Sequence, residues 1–228
     1  ELDAETLLVT GDITRDEDQQ QLRDTVYSAW GKVNLLFNNA GQKIFAGASD
    51  SPYLWRQQME INLLSMVAPQ HAFLPEMLKM DQKGAIVNLG SKEGITTPPG
   101  FAAYNASKAA VKVLTEQLSH QLLQETGTRL TAHLLVPGYT WTDMNDPGMD
   151  ERSGQKPDEA WTAAQVINYF LPRLERGDFY IICPDNAVTS EMDAKRIQWA
   201  VQDMLDNRPA LSRWHPDWKM AFESWMKS

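Results

Sequence analysis

The chain has 228 residues, 43% of them hydrophobic, and carries a formal charge of -9. That length is enough to bury a substantial core in one domain, over 1–184, followed by a smaller aromatic-rich extension over 185–228. The acidic balance excludes an electrostatic grip on nucleic acid or on an anionic membrane surface, because both need clustered lysine and arginine, and it favours a small-molecule ligand.

Residues 6–10, Thr-Leu-Leu-Val-Thr, are a β-branched and leucine run that stops at Gly11-Asp12, the profile of a buried strand closed by a turn. Over 16–30 the apolar residues Leu22, Val26 and Ala29 fall at helical spacing, with Thr14 or Asp16 as the N-cap and Gly31 as the stop. A second apolar run over 33–37 leads to Asn38-Asn39-Ala40-Gly41. A long helix is predicted over 53–80, kinked at Pro69 and carrying Pro75 in its last turns. Residues 85–89 supply another strand, followed by Gly90-Ser91 and a glycine- and proline-rich loop to Gly100. A helix over 102–125 comes next, then a strand over 130–136 closed by Pro137-Gly138. A polar stretch over 143–158 interrupts the rhythm, and a helix over 158–176, stopped by Gly177, leads to a last strand at 179–183.

Apolar strands alternating with helices imply a doubly wound parallel sheet covered on both faces, an α/β fold of the Rossmann type. In such sheets ligands bind beyond the carboxyl ends of the strands. Those ends hold Asp12, Asn38 to Gly41, Ser91 and Pro137-Gly138. After Pro184 an amphipathic helix is predicted over 191–205, and Trp214, Trp218 and Trp225 follow it as cover for exposed core or a subunit contact. A lid over the substrate is the sharper alternative. Cys183, alone in an apolar run, reads as a small buried hydrophobe and indicates a reducing, cytoplasmic setting. The four histidines lack metal-ligand spacing, so no metal site is expected. No run approaches ~18 uninterrupted apolar residues, and no basic-then-apolar leader is present, so neither a membrane span nor a signal peptide is expected.

Tyr104-Asn105-Ala106-Ser107-Lys108 organises the rest. A spacing of i to i+4 stacks the phenol and the ammonium on one helix face. A cation within ~4–6 Å favours phenolate over a phenol that titrates near 10. Read singly, Ser91 is a loop hydroxyl and Asn62 a helix-bending polar residue.

Together, Asn38-Asn39-Ala40-Gly41, Asn62, Ser91 after Ile86-Val87-Asn88-Leu89-Gly90, Tyr104 to Lys108 and Pro137-Gly138 resemble the short-chain dehydrogenase/reductase family in order and spacing. The resemblance implies an NAD- or NADP-dependent oxidoreductase that interconverts an alcohol and a ketone. Tyr104 would be the acid/base and Lys108 would lower its pKa and bind the nicotinamide ribose. Ser91 would hydrogen-bond the reacting oxygen, and Asn62 would hold a water that relays protons towards Lys108. Asp12 and Ile13 would meet the adenine, and the Asn39, Ala40 and Gly41 backbone the adenosine ribose. Pro137, Gly138, Tyr139 and Thr140 would face the nicotinamide, with Thr142 bonding its carboxamide or a phosphate oxygen. Lys92, Glu93, Ile95 and Phe101, with Trp141, Met144 and Met149, are the expected substrate pocket. A homo-oligomer is implied through helices 53–80 and 104–124, whose outward residues would include Leu54, Met66, Val113 and Leu114.

One departure is large. The family's first strand, Thr-Gly-x-x-x-Gly-x-Gly turn and helix, which hold the pyrophosphate, have no counterpart here, and neither does the second strand, which selects NAD or NADP. The chain opens on Glu1 in mid-pattern, which predicts an N-terminally truncated member, inactive as it stands. With the first two strands missing, strands 6–10 and 33–37 would either pair directly or show free edges. Two other readings stand beside the oxidoreductase: a non-catalytic scaffold unable to bind dinucleotide, and an epimerase or dehydratase acting on a sugar nucleotide, which shares Tyr-x-x-x-Lys.

Overall fold

The computed structural model describes residues 4–145 and 154–227. Helix α1 (Asp16–Trp30) follows a turn held by Asp12, one of whose carboxylate oxygens accepts hydrogen bonds from the Thr14 N–H (2.9 Å) and hydroxyl (2.7 Å). Because Thr14 spends its hydroxyl on Asp12, neither it nor Asp16 is the N-cap. Arg15 takes that position without a side-chain cap. Gly31 ends the helix at φ 70°, a left-handed conformation that costs glycine little.

Residues 6–10 form no strand, and Leu8 is 90% exposed. Their β-propensity has no ladder to join, since among the described residues their backbone bonds to no neighbouring strand. The expected strand is therefore corrected to an extended, unpaired segment. The sheet begins instead with β1 (Leu35–Asn38).

Ser51 caps α2 (Pro52–Met59) by accepting from the Tyr53 N–H at 3.2 Å, and α2 runs through one π-helical turn (Glu60–Leu64) into α3 (Ser65–Lys79). The irregularity lies at this π turn, one turn ahead of the kink expected at Pro69. Pro69 has no N–H to return to the Ser65 carbonyl, and α3 continues through both prolines. Then come β2 (Gly84–Leu89), a short α4 (Glu93–Thr96) where a plain loop was expected, α5 (Ala102–Thr126) and β3 (Leu130–Val136). Helix α6 (Ala163–Arg176) starts later than predicted because Thr162 and Gln165 form a capping box. The Gln165 N–H donates to the Thr162 hydroxyl oxygen (3.2 Å), and the Thr162 N–H to Gln165 Oε1 (2.8 Å). Strand β4 (Tyr180–Ile182) closes the sheet.

The four strands pair in parallel in the order β1-β2-β3-β4, with Leu36 opposite Ile86, Ile86 opposite Ala132, and Leu135 opposite Ile181. Helices α1, α3 and α5 cover one face, where Phe73, Met77 and Leu122 pack on Ile86 and Leu130. Helix α6 covers the other, with Phe170 and Val166 on Val87, Leu135 and Ile181. Both faces are thus buried, as the continuous apolar strands required, and Cys183 is wholly enclosed. No described helix is long and apolar enough to cross a membrane.

The C-terminal residues build a second, smaller core. Helix α7 (Ser190–Leu205), a 3-10 turn (Ser212–Trp214) and α8 (Lys219–Lys227) close around Trp199, with ring centroids 5.4 Å away for Phe222, 6.2 Å for Trp225 and 6.4 Å for Trp218. Burying each such ring stabilises by about 1.5–3 kcal/mol. Trp218 and Trp225 therefore pack against their own extension, and Trp214 is 37% exposed.

Candidate active site

All strands being parallel, the loops leaving β1, β2 and β3 emerge at one edge of the sheet, where they line a single cleft of about 1170 Å³. A buried amide network ties the strand ends together. Asn38 Nδ2 donates to Asn88 Oδ1 at 2.8 Å, Gln70 Nε2 donates to the same oxygen at 3.1 Å, and Asn88 Nδ2 donates to the Thr115 hydroxyl at 3.0 Å. Asn38 thus bridges β1 and β2, and it fixes where Asn39, Ala40 and Gly41 leave the sheet.

The next stretch of that loop is clamped by the helix above it. The Gln42 N–H donates to Asn62 Oδ1 (2.8 Å) and the Ile44 N–H to Gln58 Oε1 (2.8 Å), while Gln58 Nε2 returns a bond to the Gln42 carbonyl (2.7 Å). Asn62 sits in the π turn, wholly buried, and its amide also reaches Ser107 Oγ on α5 at 3.2 Å. The widened turn is what brings a helix side chain inward at this point, as π turns at functional sites commonly do. A Cβ added to Gly41 would lie 3.2 Å from Asn62 Oδ1 and 3.8 Å from Lys108 Nζ, so only glycine leaves the space between them open.

Helix α5 presents Tyr104 and Lys108 to the cleft, and Ser91 follows β2 beside them. The Ser91 hydroxyl stands beside the Tyr104 phenol, close enough to lower its pKa, and accepts the Glu93 N–H at 3.2 Å. Lys108 donates to the Leu89 carbonyl at 2.8 Å, and its Nζ is 6.0 Å from the Tyr104 ring centroid. Helix α4 packs directly on the backbone of α5. A Cβ at Gly94 would come within 2.5 Å of the Lys108 carbonyl carbon, which is why a glycine stands there.

The electrostatics differ from the sequence expectation. Burial pushes the Tyr104 phenol up to about 12. The neighbouring Ser91 hydroxyl acts against that rise, and the Glu93 carboxylate adds to it. Burial also drives Lys108 down to about 8. The expected lowering of Tyr104 by Lys108 is therefore corrected: burial sets the phenol, Lys108 does not act on it, and at neutral pH the phenol keeps its proton.

Every residue expected to take part in proton transfer or to bind the cofactor lines this cleft except Asn62, which stands behind its wall. Asp12 and Ile13 lie at one end, with Asn39, Ala40 and Gly41 beside them. Ser91, Tyr104 and Lys108 lie on the wall formed by β2 and α5, and Pro137 to Thr140 together with Thr142 on the β3 side. Of the expected substrate residues, Lys92, Glu93 and Met144 line it. Ile95 packs into the core beside Met66 and Val111, Phe101 stacks edge-on to Phe45, and Trp141 donates its N–H to the Trp161 carbonyl, so these three are corrected to supporting residues. Met149 lies outside the described residues.

Several residues at the site carried no sequence signal. Lys43 Nζ sits 5.2 Å from the Tyr104 ring centroid and 4.2 Å from that of Phe101, held by Glu93 Oε1 at 2.8 Å. Lys92, the neighbour of Ser91, pairs with Asp193 of α7 at 2.6 Å and lies 3.7 Å from Asp185. Asp185 in turn accepts the Tyr139 N–H at 2.9 Å. The C-terminal extension is thereby tied to the loop that carries Ser91. Among the described residues no group of histidine, cysteine, aspartate or glutamate could hold a metal ion.

Residues 1–153 match the family model described as short chain dehydrogenase. The chain belongs to that family. It is 31% identical over 142 residues to a CLA biosynthesis dehydrogenase/reductase of Lactiplantibacillus plantarum, a match that covers 62% of this chain and 49% of that protein. It is 30% identical over 186 residues to an uncharacterized oxidoreductase of Staphylococcus saprophyticus, covering 77% of this chain and 74% of that one. The chain thus spans about half the length of the first relative and about three quarters of the second. A crystal structure of a short chain dehydrogenase/reductase from Burkholderia phymatum in complex with NAD superposes with a TM-score of 0.73 at 26% identity, covering 86% of this chain and 75% of that one.

Proposed function

We propose that this chain carries the proton-transfer centre of a nicotinamide-dependent oxidoreductase that interconverts an alcohol and a ketone. One observation carries the reading: the Tyr104 phenol, beside Ser91 and one helical turn from Lys108, stands with both on the wall of a cleft large enough for a cofactor and a substrate. Tyr104 gives its proton to a carbonyl oxygen as negative charge grows there, and takes it back in the reverse direction. Ser91 hydrogen-bonds the same oxygen and stabilises that charge. The protonated phenol is the resting form, which suits the donor role.

The residues fit one half of a dinucleotide. Lys108 uses a single N–H on Leu89 and keeps its other donors for ribose hydroxyls, while Gly41 leaves the space beside Lys108 open; Gly138 is needed for close packing on Pro184 and Asp185. The other half has no cradle among the described residues. No glycine-rich turn opens a helix, and α1 begins with Asp16, Glu17 and Asp18, an acidic first turn unsuited to pyrophosphate. When bound, the nicotinamide ring supplies or accepts the hydride, and NAD in the Burkholderia phymatum protein supports a dinucleotide here without choosing between NAD and NADP. Asn62 orients the Gln42 loop, and the space beside Gly41 is where its amide would hold a relay water towards Lys108.

The test is ketone-dependent oxidation of NADH or NADPH. It is measured on a chimera in which a strand, a glycine-rich turn and a helix of the kind that holds a pyrophosphate are joined ahead of this chain. Turnover that requires Tyr104 supports the reading, and dinucleotide binding without turnover on any ketone or alcohol favours a scaffold instead.

A homo-oligomer belongs to the same proposal. Leu64 at the π turn, Val67 on α3 and Val113 and Leu123 on α5 are 40–53% exposed, more apolar surface than a solvated helix needs. Met66, expected on that outer face, is 1% exposed and belongs to the core, because the π turn rotates it inward. Sedimentation is expected to give a dimer or larger assembly at micromolar concentration, and a monomer there would end the idea.

A further inference from the structure

The cleft is lined by an arginine that makes no ion pair of its own among the described residues, although the Asp193 carboxylate feels its charge. Arg196, on α7, lines the same cleft as Ser91 and Tyr104, and its Nε is buried without a hydrogen-bond partner. Among the described residues its guanidinium makes no ion pair. Asp193, one turn earlier on α7, is the natural partner at this spacing, but its carboxylate is committed to Lys92 at 2.6 Å. Asp185 is committed as well: it accepts the N–H groups of Tyr139, Ala187 and Val188. The other cations at the cleft have partners, with Lys43 on Glu93 and Lys108 on the Leu89 carbonyl.

A second guanidinium stands nearby. Arg213, from the 3-10 turn, stacks at 4.6 Å on Trp214 and 5.0 Å on Phe222, and burial together with the charge of Arg196 lowers it to about 10, against a smaller opposing pull from Asp193. Two neighbouring positive charges without a counter-ion of their own are unfavourable until an anion joins them. Ile167 and Val188 line the cleft too and offer an apolar bed for a carbon chain. Lys92 follows Ser91 and grips Asp193, one turn before Arg196, so the loop that carries Ser91 is tied to the helix that carries the guanidinium, and both line one cleft.

We propose that Arg196 binds a carboxylate of the substrate, so that the reaction is the interconversion of an oxo acid and a hydroxy acid, with the acid group on Arg196 and the oxo group between Ser91 and Tyr104. The oxo end rests on the oxidoreductase reading, whereas the carboxylate end rests on Arg196 alone and is tested without turnover. Calorimetric titrations of the chain with short straight-chain oxo acids, their methyl esters and inorganic phosphate read it directly. The acids are expected to bind wild type at least about tenfold more tightly than the esters. Arg196→Met brings that ratio close to one, Arg196→Lys restores part of it, and Tyr104→Phe leaves it unchanged. Arg196→Met breaks no ion pair and removes a charge beside Arg213, so its melting temperature is expected to equal or exceed that of wild type. Equal affinity of wild type for acid and ester overturns the proposal, and that comparison needs no variant. An unchanged ratio in Arg196→Met also overturns it, as does phosphate binding more tightly than the acids and losing its affinity in Arg196→Met.

Discussion

Tyr104→Phe is expected to lower kcat of the active chimera at least about 100-fold, a barrier increase of roughly 2.7 kcal/mol, while leaving dinucleotide affinity nearly unchanged. Phenylalanine keeps the ring in its buried site, where Tyr104 is only 7% exposed, and removes the one proton the reaction moves. It leaves the Ser91 hydroxyl able to bond a substrate oxygen but with no proton donor beside it. Retention of more than about a tenth of wild-type kcat would remove Tyr104 from its acid/base role.

Lys108→Met is expected to stabilise the chain at neutral pH while disabling the site. Burial holds the folded Lys108 at about 8, below its ordinary value of 10.5. Below pH 8 the ammonium is charged in both states, and the folded chain bears the full cost of burying it. Between about pH 8 and 10.5 the folded chain sheds the proton while the unfolded chain keeps it, so wild-type stability rises with pH across that window. The variant escapes the cost, which is on the order of 3 kcal/mol for this shift, less the lost hydrogen bond to Leu89. Urea unfolding across a pH series checks this. The advantage of Lys108→Met should be largest at neutral pH and fade towards pH 10.5, whereas a less stable variant at pH 7 would mean that the ammonium is favourably held.

Local patterns were legible where local physics decides. Helix α1 could be bounded from Leu22, Val26 and the stop at Gly31, and the strand at Leu130–Val136 from its continuous apolar run. The start of α6 was written in Thr162-Ala163-Ala164-Gln165, a capping box that propensity alone passes over. Residues 6–10 misled because strand propensity is expressed only against a partner, and Leu8 has none. The π turn at Glu60–Leu64 has no periodicity signature in five residues, so Met66 was assigned to the wrong face. At the site, Ser91, Tyr104 and Lys108 were readable as an ordered set of motifs. The pairing of Lys92 with Asp193 and the approach of Lys43 to Tyr104 join residues far apart in sequence, and only the packing of α4 on α5 and α7 brings them together.

If Ser91 and Tyr104 act as one proton-transfer unit, a double-mutant cycle in the active chimera shows it. With kcat measured for wild type, Ser91→Ala, Tyr104→Phe and the double variant, the account predicts that the double variant is no slower than Tyr104→Phe alone, because Ser91 acts on an oxygen that Tyr104 must protonate. Losses that multiply would contradict it, since they would mean that the hydroxyl and the phenol contribute independently.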